Sequence, residues 1–361
     1  MESKKERNYG VDLLRIFSML MVVTLHVLGK GDLLYNKNLE IFSQKYNLLW
    51  ILEIASFGAV NLYALISGYV SIKSKHKYTN LVVLWLEVVF YLLLISFIFS
   101  KLDIYKYPTN EMIQDLFPVS NAKYWYFTAY FCLFFIMPIL NCAINNINKN
   151  HLFFIIVSLA IIFCVIPIVQ NKDVFNLQNG YHFFWLSYLY LIGGYIAKYN
   201  IKFRFMKIFM LIVYIASIYL TFLLKKYFDF INLNIGEDKF NFVQYTSPTI
   251  LISSIALLLL FSSIDIKVNY IKKILTFTSR LVFSVYIIHE HDFVSKFFIR
   301  EKFSNLLEFT PSVMIFKIFL IVFGIFFISI VLDTIRFMIF KILHIREMCD
   351  FAENFICKKK C

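Results

Sequence analysis

Tyr9-Gly-Val-Asp-Leu-Leu-Arg15-Ile-Phe-Ser-Met-Leu-Met-Val-Val-Thr-Leu-His26 is an apolar run long enough to enter a bilayer, yet it carries three ionisable side chains. Each Asp or Arg at the centre of a membrane helix costs roughly 2.5 to 3.5 kcal/mol, so each calls for a reason. Asp12 and Arg15 are three residues apart and can pair on one helical face. Eleven residues, about 3.06 turns, separate Arg15 from His26, so the two lie within ~20° around the axis and roughly 16 Å apart along it. One stripe therefore holds a cation near one interface and an imidazole toward the other. The plainer reading is that Asp12 and Arg15 set topology at the inner interface while His26 reaches the outer one. A signal peptide preceded by Lys4, Lys5 and Arg7 is disfavoured, because Asp12, Arg15 and His26 are out of place in an h-region and no small-residue cleavage site follows.

Working outward, the chain of 361 residues is 60% hydrophobic with a mean hydropathy of +0.70. A soluble domain sits near 45–50% apolar. Stretches able to cross ~30 Å of hydrocarbon recur at about residues 9 to 28, 48 to 70, 81 to 100, 122 to 141, 151 to 169, 181 to 197, 206 to 224, 246 to 264, 277 to 293 and 313 to 335. The pattern predicts an all-α, polytopic protein of about ten transmembrane helices with both termini cytoplasmic. Residues 1 to 335 would form the membrane domain, and 336 to 361 a short basic cytoplasmic tail. Of the 36 Lys and Arg, 21 fall in the supposed cytoplasmic segments and 13 in the outer ones, with Lys123, Lys207 and Arg280 at span edges counted with their adjoining loops and Arg15 and Lys317 inside spans, a bias that favours the cytoplasmic N-terminus.

The net charge of +13 does not indicate a nucleic-acid partner, because the basic residues are dispersed between apolar runs. They read as topology signals. None of the six cysteines lies in an expected outer loop, so no disulfide is expected.

The opening stretch resembles the arginine, ten residues, histidine signature of the acyltransferase 3 family. Gly58-Ala-Val-Asn-Leu-Tyr-Ala-Leu-Ile-Ser67-Gly68-Tyr69 is similar to that family's second helix, Trp125-Tyr126-Phe127 with Pro138 to its fourth, and Ser284-Val-Tyr286-Ile-Ile-His289 to its penultimate one. The resemblance spans nearly the whole chain, and it implies transfer of an acyl group, most often acetyl, from cytoplasmic coenzyme A to a hydroxyl of a sugar or another acceptor. Acetyl-CoA is then the expected donor, with His26, Arg15 and Asp12 as catalytic residues. Phosphate binding would fall to Arg15 and to Lys73, Lys75 and Lys77, where many members carry arginines; the charge is kept but the bidentate fork is not.

A hydroxyl is a poor nucleophile at neutral pH, and histidine has the pKa suited to a base beside it. His26 could deprotonate the acceptor or carry the acyl group covalently. No ATP site is visible, since neither GxxxxGK[ST] nor GxGxxG occurs. His289, near the outer end of the ninth span, should sit at a depth comparable to His26, either converging with it or resting at the headgroups. Glu290, His291 and Asp292 form a metal cluster on paper only, as consecutive residues on a helix do not face one another, and no metal is expected. Glu53 and Glu87 either contact substrate or pair structurally with neighbouring helices. Trp125 and Tyr126, with Tyr124 and Tyr130, form an aromatic belt or stack on a sugar ring.

Two function classes follow. One is a membrane O-acyltransferase for an extracytoplasmic glycan or lipid-linked saccharide, in the cytoplasmic membrane of a bacterium. The other is a transporter, flippase or polymerase of a lipid-linked saccharide, which should show paired interrupted helices or an internal repeat, neither of which is apparent in the sequence.

Overall fold

The computed structural model describes residues 7–72, 74–235 and 241–358, and among these every regular element is helical. In chain order they are α1 (Tyr9–Gly29), α2 (Gln44–Phe57), α3 (Ala59–Ser71), α4 (Tyr78–Lys101), α5 (Thr109–Asp115), α6 (Trp125–Asn146), α7 (Lys149–Ala160), α8 (Ile166–Gln170), α9 (Phe183–Tyr199), α10 (Met206–Ile235), α11 (Pro248–Ser262), α12 (Asn269–Glu290), α13 (Asp292–Phe298), α14 (Pro311–Ile342) and α15 (Ile345–Lys358). All ten apolar stretches fall on helix. Seven are long and apolar enough to cross a membrane: α1, α2 with α3, α4, α6, α7 with α8, α10 and α14. The 15-residue α11 is apolar but shorter.

Two of the seven are interrupted. The second breaks at Gly58, and neighbouring helices supply donors there: the Tyr214 hydroxyl donates to the Ala55 carbonyl at 2.9 Å, and the Ser254 hydroxyl lies 3.5 Å from the Gly58 carbonyl, which also accepts from the Leu62 N–H at 3.0 Å. Such backbone is tolerated at membrane depth only when buried in protein. The fifth widens into a π-helical turn over Ile161–Val165, just before Pro167, whose ring lacks an N–H and crowds the preceding turn. Pro167 marks this interruption in the sequence, whereas the break at Gly58 is not apparent there.

α1 is the hub, packing against α2, α3, α11, α12 and α14. Its N-terminus is capped by the Asn8 side chain, which accepts from the Val11 N–H at 3.2 Å and donates to the Ser262 carbonyl at 2.8 Å. α3 and α9 make the closest pair, because Gly68 and Gly193 let the backbones touch: a Cβ on Gly68 would overlap the Tyr190 carbonyl, and one on Gly193 that of Leu65. Asn61, fully buried on α3, donates to the Tyr245 carbonyl and accepts from the Trp185 indole, both at 2.9 Å, which fixes the same pair to the segment before α11. Lys198 closes α6 by donating to the carbonyls of Ile144, Asn145 and Ile147.

α14 runs on to Ile342, so Arg336, read from sequence as a tail residue, is buried inside a helix. The tail is largely helical. Cys132, Cys142, Cys164 and Cys349 are free thiols.

Candidate active site

α1 and α12 run in the same direction, tied at one end by the Arg7 guanidinium and Ser279 hydroxyl at 3.4 Å, and at the other by two imidazoles. Nδ1 of His26 lies 2.7 Å from Nε2 of His289. Nδ1 of His289 lies in hydrogen-bonding contact with the Val285 carbonyl, one turn back on its own helix. That carbonyl can only accept, so His289 donates from Nδ1 and, as a neutral ring, presents a lone pair at Nε2. His26 must then donate from Nδ1. Its Nε2 is left carrying a lone pair, with no partner among the described residues, on a side chain 19% exposed. The network thus assigns both tautomers.

Glu290 completes the cluster. One carboxylate oxygen is 3.2 Å from Nδ1 of His26, and the other accepts from the Lys30 ammonium at 2.5 Å. A carboxylate here stabilises the imidazolium formed whenever Nε2 takes a proton, and the nearby C-terminus of α1 acts in the same direction. His26, His289 and Glu290 offer donor atoms all within 4.8 Å of one another. Two imidazole nitrogens on a tetrahedral zinc ion stand about 3.3 Å apart, whereas these are at hydrogen-bond distance and the carboxylate already holds an ammonium. The arrangement is a hydrogen-bonded line from His26 through His289 that ends on the Val285 carbonyl.

His26 opens onto a cavity of about 510 Å³. Its ionisable lining apart from tyrosines is His26, Lys30, Glu53 and Glu290, set among Trp50, Trp125, Tyr126, Tyr181, Tyr245 and Tyr286. Trp125 packs against Tyr181 at 4.4 Å between ring centres and faces Tyr245 at 6.1 Å with the planes inclined by 28°. Tyr124 and Tyr126 are buried rather than displayed at an interface, and Tyr124 donates to the Ile287 carbonyl at 3.0 Å, so this aromatic cluster is an internal wall and not a belt.

At the other end of α1, Asp12 bridges two guanidiniums: Arg7 reaches it at 2.5 and 3.1 Å and Arg15 at 3.0 Å. The Arg15 carbonyl accepts from Tyr63 at 2.9 Å, and Tyr63 also lines the cavity, so one side chain links the two ends of the stripe. A second cavity of about 700 Å³ opens beside this end, lined by Arg7, Lys202, Lys207 and Lys272 with Asp265. The basic loop after α3 is placed differently. Lys73 lies outside the described residues, Lys75 is exposed, and Lys77 pairs with Asp350 at 3.1 Å.

Glu87 does not line the cavity. It accepts from Ser284 and faces Arg336 at 3.4 Å, while Arg336 grips Asp333 at 2.7 and 2.8 Å and Tyr91 donates to Asp333 at 2.8 Å. His291 caps the next helix by accepting from the Phe293 N–H at 3.3 Å, and Asp292 turns toward Arg300 at 3.8 Å. Glu290 and Lys30 were missed as site residues. Lys30 stands four residues after His26 and was legible by helical spacing; Glu290 was set aside because it adjoins His289, but both reach the groove where the His26 ring sits.

The family model described as an acyltransferase domain matches residues 8–334. The chain belongs to the acyltransferase 3 family. It is therefore a membrane acyltransferase, and the match takes in every helix from α1 to most of α14, including both ends of the Arg15–His26 stripe. No curated protein and no solved structure matches this acyltransferase.

Proposed function

We propose that the protein transfers an acetyl group from cytoplasmic acetyl-CoA to a hydroxyl of an extracytoplasmic glycan or lipid-linked saccharide, in the cytoplasmic membrane of a bacterium. The observation that carries this is the unshared Nε2 lone pair of His26, backed by His289 and Glu290 and open to an aromatic cavity. α9, α11 and α12 would complete ten spans with both termini inside.

In the reaction, the acceptor hydroxyl gives its proton to Nε2 of His26 as its oxygen bonds the acyl carbon. The C–S bond breaks and the thiolate leaves, taking that proton back from His26 as free thiol. Cleavage of the thioester drives the exchange. Glu290 stabilises the transient imidazolium, and His289 holds the ring with Nε2 toward the cavity. Donor phosphates fit the basic cavity of Arg7, Lys202, Lys207 and Lys272 better than the loop at Lys75 and Lys77, because four cations there face a single carboxylate. Arg15 and Asp12 sit between that cavity and Tyr63, on the path the thioester would take.

The test is thiol release by the purified protein in nanodiscs with acetyl-CoA and cell-derived acceptor. His26→Ala should lower release by about 10²- to 10⁴-fold with the fold intact. Undiminished release would remove His26 from the chemistry. The break at Gly58 favours a second reading, a saccharide transporter, since transporters place interrupted helices at their sites. Thermal stabilisation by coenzyme A separates the two, because a transporter should not respond to it.

A further inference from the structure

The ionisable lining of the main cavity is unevenly paired. Lys30 is committed to Glu290 at 2.5 Å, which leaves Glu53. Glu53 is 6% exposed, and one of its carboxylate oxygens is buried with no hydrogen-bond partner among the described residues, where it also makes no ion pair. The neighbouring Lys225, 4.1 Å over the Trp50 ring, is held by Asp229. In this cavity Glu53 is thus the carboxyl group that makes no ion pair among the described residues.

Around that carboxylate stand π faces. Trp50 and Phe57 lie one turn before and after Glu53 on α2, while Tyr35, Tyr181 and Tyr245 line the same cavity. An unpaired buried acid is costly, and aromatic walls cannot relieve it. A cation can use both, pairing with the carboxylate and resting on the ring faces. A neutral diol could hydrogen-bond to Glu53 but would not stabilise its ionised form, as an ammonium does.

We infer that the acceptor is a saccharide bearing a free ammonium group, held by Glu53 within the Trp50, Phe57, Tyr35, Tyr181 and Tyr245 surround while one of its hydroxyls faces His26. The inference rests on the acyltransferase reading of the same cavity. It also settles which atom is acylated. An ammonium paired with a carboxylate has no lone pair, so the amine is shielded and the hydroxyl beside Nε2 receives the acyl group, giving an O-ester and leaving the nitrogen charged.

The matched probes are the β-1,4-linked disaccharide of glucosamine and cellobiose, which differ by ammonium for hydroxyl at C2 of each ring. Binding to the nanodisc protein is followed by tryptophan fluorescence. The aminated disaccharide should bind about tenfold or more tightly than cellobiose, and Glu53→Gln should bring the two affinities together. Equal binding, preference for cellobiose, binding of neither, or a preference that survives Glu53→Gln overturns the inference. Because no donor is present, such a result leaves the thiol-release assay standing, whereas loss of that assay's His26 dependence removes the acyltransferase mechanism without touching the binding result.

Discussion

Two clusters of charge are sunk in this helical bundle, and they are built on opposite plans. Around Arg336, both carboxylates and the guanidinium find partners within the bundle: Glu87 and Asp333 share the cation, and Ser284 and Tyr91 supply hydroxyls. Around His26, valences are left open, since Nε2 of His26 and one oxygen of Glu53 have no partner among the described residues and both residues line one cavity. A saturated cluster can only hold helices α4, α12 and α14 together. An unsaturated one can exchange protons and bind.

The division can be broken first at Arg336. Arg336→Ala should cost about 3–5 kcal/mol of stability, read as thermal unfolding in detergent, because it strands two buried carboxylates. Normal stability with lost transfer would assign the cluster to chemistry instead. His289→Phe removes the acceptor that aims His26 and should lower kcat by about 10²-fold while leaving KM for acyl-CoA unchanged, as expected when only orientation is lost. An unaltered kcat would show that His26 needs no orienting partner. Gly68→Val tests the scaffold shared by both regions, and should cost about 1–3 kcal/mol through overlap with the Tyr190 carbonyl, again seen in the unfolding midpoint.

The smallest effect concerns the tail. Glu353 accepts from the Tyr78 and Thr79 amides at 3.0 and 2.8 Å and from the Thr79 hydroxyl at 2.6 Å, capping α4 from α15. Burial raises the Glu353 pKa, but these donors outweigh it and hold it below the ordinary value; Lys77 lowers that of Asp350 chiefly through a hydrogen bond. With both carboxylates depressed, docking is complete above the usual carboxylate range and is lost as pH falls through the lowered values. Hydrogen exchange at Tyr78 and Thr79 should therefore show protection disappear on acidification, and Glu353→Gln should weaken it at neutral pH. Protection independent of pH would mean that packing alone seats α15.

Much of this was legible in the sequence. Hydropathy is a strong signal over twenty residues, so all ten stretches fell on helix, and a helix of 3.6 residues per turn placed Asp12 beside Arg15. The break at Gly58 was not legible, because glycine occurs in membrane helices without breaking them and the deciding hydroxyls, Tyr214 and Ser254, are remote in sequence. Glu87 was ambiguous for a similar reason: its partner Arg336 lay beyond the expected end of the last span. Glu290 escaped because same-helix geometry says nothing about a third residue wedged between neighbours.

The bond from His289 to the Val285 carbonyl has a bioenergetic consequence. A peptide oxygen has no exchangeable hydrogen to pass on, so the hydrogen-bonded line that starts at His26 is a cul-de-sac. Charge taken up during turnover goes back the way it came, and the enzyme should run at the same speed in energised and de-energised vesicles, drawing nothing from the proton-motive force.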